Sequence, residues 1–167
     1  MCKAVIDTSV FVAGVLSERQ QSASYQIIQN WRSRRFDLVV SPQLLSEYYI
    51  VLLRRGLSES DVDDLIRVVQ ATAFHVSGDY QTSRLDDIDP KDNILLATAY
   101  ESKADHLVSL CKKHILPIKY WHGTQVVTPP LFLRQLTQIE IQKNLAKSLG
   151  TETEASLFVP TKASVQP

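Results

Sequence analysis

The chain has 167 residues, of which 44% are hydrophobic and 22% charged, and its 18 basic and 18 acidic residues cancel. That balance fits one soluble globular domain with a real core, and it excludes a polycation that coats nucleic acid; an enzyme with a local basic rim stays open. Two cysteines, Cys2 and Cys111, make no disulfide framework, no apolar run could span a bilayer, and nothing resembles a secretory signal, so a reducing cytosol and no membrane are expected.

Ala4, Val5 and Ile6 form an unbroken apolar run, as in the buried central strand of a parallel sheet. The run stops at Asp7, ahead of Thr8 and Ser9, and a carboxylate just past such a strand stands where open α/β sheets hold ligands. Residues 11–16 lead into a helix over about 20–34, with Tyr25, Ile28 and Trp31 as one apolar stripe and Arg32, Arg34 and Arg35 at the negative end of its dipole. Leu38, Val39 and Val40 predict a strand over 36–40. Ser41 then caps a helix that begins at Pro42, runs to about Arg55 and stops at Gly56. Ser58 with Asp61 predicts the start of another helix, ending near Ala73. A short strand at 74–76 and a polar, exposed loop at 78–88 follow.

Asp89-Pro90-Lys91-Asp92 opens a helix that carries Leu95, Leu96 and Ala99 on one face and ends near Lys103. Strands are expected at 106–110 and 118–121. Thr128 caps a final helix with Pro129 and Pro130 in its first turn; the pattern runs to Leu149, with Gly150 as the stop. Residues 151–167 are polar and aperiodic, as in a disordered tail. Strands separated by such helices need crossover connections, so the fold class is α/β, three layers around a parallel sheet.

Three acids then ask for an account. Asp7 serves equally as a turn or cap residue. Glu47 falls on the flank of a stripe made by Leu44, Leu45, Tyr48, Val51 and Leu52, with Gln43 and Val51 four residues away and hence no intrahelical ion pair; a solvated flank is the plain alternative. Asp92 is the third residue of a helix capped by Asp89, which already suits a carboxylate. Gathered in one cleft, the three would repel each other unless a hard divalent cation joined them. Mg²⁺ or Mn²⁺ is the natural choice, and such an ion acidifies water and stabilises charge on a phosphodiester.

Asp7-Thr8-Ser9-Val10-Phe11-Val12, Glu47 within SPQLLSEYYIVLLRR, and DPKDNILLATA with Asp92 resemble the acidic motifs of PIN-domain ribonucleases. ADHLVSLCKKHIL and VVTPPLFLRQL are similar to that family's usual ending, and the group most resembled is the VapC-like toxins of bacterial toxin–antitoxin pairs. The likeness covers about residues 2–136, which divides the chain into a PIN domain at 1–136, a helical extension at 137–150 and a tail at 151–167.

The resemblance implies a three-layer α/β/α PIN-like fold and metal-dependent cleavage of RNA, with a small antitoxin as partner and a homodimer as a common assembly. It implies Asp7 and Asp92 as ligands of Mg²⁺ or Mn²⁺, with Glu47 holding the ion through water or orienting the attacking water. Thr8 or Ser9 would support them by hydrogen bonding. Lys112 and Lys113, with Arg54 and Arg55, are candidates to meet phosphate, solvated charge being the plain alternative.

The sequence departs from the family at Cys111, where an aspartate is usual. A thiol is a poor ligand for Mg²⁺, and losing such an outer carboxylate costs about 10–100-fold in metal affinity or activity. The alternative function is therefore a catalytically weakened or inactive PIN-like module that binds RNA or a protein. Asp105 is no substitute, because it opens its strand at the opposite end of the sheet. A zinc set of His106, Cys111, His114 and His122 fits no known zinc spacing, and no glycine-rich phosphate loop or Ser-His-Asp arrangement is present.

Overall fold

The structure, a computed structural model, describes the backbone of residues 1–155 and the side chains of residues 1–149. It begins with strand β1 (Lys3–Ile6), helices α1 (Thr8–Val15) and α2 (Ala23–Arg32), strand β2 (Asp37–Val40) and helices α3 (Pro42–Arg54) and α4 (Glu59–Thr72). Strand β3 (Phe74–His75), helix α5 (Asn93–Ser102), strands β4 (His106–Val108), β5 (Tyr120–Trp121) and β6 (Thr124–Val127), and helix α6 (Pro129–Ala155) complete it. The sheet order is β3-β2-β1-β4-β6-β5, every pairing parallel except the β5–β6 hairpin. This is the expected α/β/α class, with a mostly parallel sheet in the middle.

The apolar run at the start of the chain lies where its composition demands. Ala4 and Val5 sit beside Leu38 and Val39 on one side, and Val5 and Ile6 beside Leu107 and Val108 on the other, with all three β1 residues fully buried. Below β1, Phe11 of α1 stacks on Tyr48 of α3 with ring centroids 4.1 Å apart, and the Tyr48 hydroxyl donates to the Ile6 carbonyl. Burying two large aromatic rings in contact adds stacking to their transfer free energy, about 0.5–1.5 kcal/mol beyond area alone. The contact also fixes α3, and with it Glu47, against the end of β1. Phe132 of α6 meets Phe36 edge-on at 5.1 Å, which docks the first turns of the last helix.

Several local expectations change. The stretch after Asp7 is a helix of its own, α1, not a lead-in; TSVFVAGV is apolar nearly all round, so it carries no helical period to read. Gly14 within it lies against α2, where a Cβ would come 2.4 Å from the Ser24 carbonyl oxygen. The helix expected at 20–34 is the shorter α2, capped by Ser22, whose hydroxyl accepts from the Tyr25 N–H at 3.2 Å. Strand 106–110 ends at Val108. Pro90–Asp92 is a separate 3-10 turn ahead of α5.

The sheet also gains a strand. Residues 116–118 form a 3-10 turn, and β5 turns through His122 (φ 46°) and Gly123 (φ 93°) into β6, which pairs in parallel with β4. His-Gly is a weaker hairpin marker than Asn-Gly, and the polar Gln125 interrupts the apolar run of β6. The loop at 78–88 is irregular but not wholly exposed: Leu85 is buried, and its N–H donates to Asn93 Oδ1 at 2.9 Å. Helix α6 runs through Gly150 to Ala155 rather than stopping there. One interior glycine costs only about 1 kcal/mol relative to alanine. Of the tail expected at 151–167, residues 151–155 continue the helix, and residues 156–167 lie outside the described residues. Among those described, no helix is long and apolar enough to cross a membrane.

Candidate active site

Asp7 leaves the end of β1 and at once caps α1, so strand and helix share one residue and its carboxylate has little freedom. Oδ1 accepts from the Ser9 N–H at 3.0 Å, and Oδ2 accepts from the Ser109 hydroxyl. Its own N–H donates to the Val108 carbonyl at 2.9 Å, the next rung of the β1–β4 ladder. The cap of α1 and the candidate site residue are therefore one and the same. Ser109, fully buried, also accepts from the Cys111 N–H at 2.9 Å.

Glu47 approaches from the second turn of α3 and is half-buried. Burial pushes its carboxyl up, the adjacent Thr8 hydroxyl works against that, and the negative charge of Asp7 adds to the rise. Asp92 comes from the 3-10 turn that opens α5. Burial, then the charges of Asp89 and Asp7, push its carboxyl up to about 6, while His114 opposes them. His114 Nδ1 lies 3.5 Å from Asp92 Oδ2 and 3.8 Å from Asp89 Oδ2.

Asp7 thus acts electrostatically on both Glu47 and Asp92, while among the described residues the ligand atoms that come within 4.8 Å of one another are those of Asp92, Cys111 and His114. Two carboxyls are held toward their neutral forms by burial and repulsion. Beside them the Thr8 hydroxyl oxygen is buried without a hydrogen bond of normal geometry. A divalent cation would relieve the repulsion and offer that oxygen a partner through bound water, so the donors fit Mg²⁺ or Mn²⁺. Ser9 contributes its backbone N–H, and its side chain is exposed.

Other candidate residues separate. Lys112 and Lys113 are exposed in the turn between Cys111 and His114, the two residues that lie beside Asp92. Arg54 is exposed at the far end of α3, about two turns or roughly 10 Å beyond Glu47, and Arg55 follows it, so neither is brought to the carboxylates. Asp105 bonds to the Lys3 N–H at 2.8 Å at the opposite edge, as expected. The four-residue zinc set is not assembled. His106 is buried beside Cys2 Sγ at 3.5 Å, and His122 meets Tyr100 and Trp121 edge-on. Cys111 and His114 do lie together, but with Asp92.

Two contributors escape a reading of the sequence alone. Ser109 follows β4 as Asp7 follows β1, and the register Ile6↔Val108 makes the two neighbours. Aligning those strands would have found it. Lys91, whose charge favours the ionised form of Glu47, looks in sequence like a solvated cap-region lysine.

Residues 3–111 match the model of a family described as PIN domain, a span that includes Asp7, Glu47 and Asp92 and ends on Cys111. The chain belongs to the PIN domain family. In structure it is similar to the crystal structure of VapBC2 from Rickettsia felis bound to a DNA fragment from their promoter. The TM-score is 0.52 at 11% sequence identity, over 75% of this chain and 98% of that one, a likeness of fold. No curated protein matches the chain in sequence.

Proposed function

We propose that the chain is a metal-dependent endoribonuclease that hydrolyses RNA phosphodiester bonds. The charge of Asp7, just past β1, acting on both Glu47 and Asp92 in a PIN domain carries this reading. Asp7 and Asp92 would hold Mg²⁺ or Mn²⁺, with Glu47 reaching it directly or through water. When bound, the ion supplies a Lewis acid for the phosphodiester and acidifies a water at neutral pH. Glu47, pushed toward its neutral form by burial and by the charge of Asp7, is placed to exchange a proton with the attacking water. Ser9 and Ser109 fix the Asp7 carboxylate, and Lys112 and Lys113 meet substrate phosphates on the rim.

The setting we infer is a toxin held by a small antitoxin in a reducing cytosol. The fold likeness to VapBC2 supports it. A homodimer is compatible with that setting. The domain division at residue 136 also follows this reading: Phe132 and Leu136 are buried on the domain, whereas Ile141, Leu145 and Leu149 are exposed.

A second reading, a PIN-like module that binds RNA or a protein without cutting, is favoured by the thiol of Cys111 standing beside Asp92 where a carboxylate would complete the set. Cleavage of a labelled RNA panel in Mn²⁺ by the natural protein, Asp7→Asn and Cys111→Asp separates the two. Cutting by the natural protein that is lost in Asp7→Asn establishes the nuclease. Cutting by Cys111→Asp alone establishes the binding module.

A further inference from the structure

We propose that Asp92, Cys111 and His114 form a second cation position, beside the carboxylates and sharing Asp92 with them, that takes a borderline-soft divalent ion, Zn²⁺ foremost. The inference rests on the reading of Asp92 as a cation ligand. One carboxylate oxygen, one sulfur and one imidazole nitrogen from these residues lie within 4.8 Å of one another, and each side chain is partly buried. Ligand atoms around a tetrahedral zinc sit about 3.5 Å apart, so the trio closes on an ion by side-chain shifts of roughly 1 Å. Three protein ligands with a fourth position open is the arrangement of zinc sites that bind water or substrate.

The two softer ligands come from one pinned turn. The Leu116 N–H donates to the Cys111 carbonyl at 3.0 Å, closing residues 111–116, and the Cys111 N–H is held by Ser109 Oγ at 2.9 Å. Asp92 faces that turn from the start of α5. Sulfur and nitrogen donors discriminate strongly against Mg²⁺, which prefers oxygen and keeps its waters, and in favour of Zn²⁺ or Co²⁺. A simple His114–Asp92 ion pair, at 3.5 Å, accounts for the histidine but leaves the thiol beside it without a role.

Co²⁺ added to the full chain in excess Mg²⁺ reports directly on sulfur ligation. The natural protein is expected to show a thiolate-to-cobalt charge-transfer band at one equivalent, which Zn²⁺ removes and Mg²⁺ does not. Cys111→Ser abolishes the band and weakens Zn²⁺ binding about tenfold or more, and His114→Ala weakens binding while keeping the band. Absence of a band in the natural protein, its removal by Mg²⁺, or its survival in Cys111→Ser overturns the proposal. None of these readings uses RNA. A protein that cuts no RNA can still show the band, and an active Mn²⁺ nuclease without it refutes this inference alone.

Discussion

The Ser109 hydroxyl donates to Asp7 Oδ2, tying the residue after β4 to the residue after β1. Because the same hydroxyl accepts from Cys111, it orients the carboxylate and the adjoining turn together. Ser109→Ala removes that tether. RNA cleavage is expected to fall about 10–100-fold, with a stability loss of about 1–3 kcal/mol for the stranded buried partner. Parallel cleavage assays and urea unfolding measure both, and unchanged cleavage would show that Asp7 needs no such support.

Asp92 predicts an inverted pH dependence for the metal-free protein. Its carboxyl rises from 3.8 to about 6 on folding, so the folded state binds more protons between those values. Stability from this group is full below its unfolded pKa and is lost as pH rises through about 6, on the order of 3 kcal/mol in all. Asp92→Asn should stabilise the chelator-treated protein at pH 7 and flatten that part of its profile. Urea midpoints across the range decide it; a variant less stable at pH 7 contradicts the argument.

Tyr48→Phe tests the joint between α3 and β1. The ring keeps its place on Phe11, while the Ile6 carbonyl loses a buried donor. A loss of about 1–2 kcal/mol in denaturant unfolding is expected, together with reduced cleavage as Glu47 loses its anchor. A neutral result in both would make the hydroxyl dispensable.

The two thiols should differ sharply. Burial, and then the charge of Asp105, push the Cys2 thiol up to about 11, which leaves almost no thiolate near neutral pH. Cys111 is only partly buried. Alkylation of the native protein followed by peptide mass spectrometry should therefore mark Cys111 and spare Cys2 until denaturant is added. Native labelling of Cys2 would mean that the N-terminal strand opens.

Lys112 and Lys113 are exposed and belong to no core contact, so replacing either with alanine should leave unfolding unchanged. If each meets one phosphate, KM rises and the salt dependence of RNA binding loses about 0.7 in logarithmic slope per lysine. Filter binding at several salt concentrations checks this. A slope identical to that of the natural protein removes them from the interface.

Much of the architecture was legible because local chemistry and tertiary position agree. Ala4–Ile6 read as a central strand and is one, and Ser41-Pro42 and Ser58 announce helices that start where they should. Where context overrides pattern, the reading fails. Helix α1 is buried on nearly every side and shows no period, and β6 hides behind a His-Gly turn. The three candidate acids could be singled out in the sequence because each stands at an element boundary or on a helix flank. Their mutual effect on charge, the partnering of Asp7 by Ser109, and the meeting of Cys111 and His114 with Asp92 depend on strand register and turn closure, which no single segment encodes.

The bond between Asp7 and Ser109 spans 102 positions of sequence. As the chain leaves the ribosome, β1 emerges first but its inner neighbour β4 comes more than a hundred residues later. Pairings this remote form slowly, since the intervening loop must close before any contact rewards it. Until then the acids at positions 7, 47 and 92 belong to separate, unassembled parts. The candidate site is therefore unassembled for most of synthesis, and its completion is one of the last events of folding.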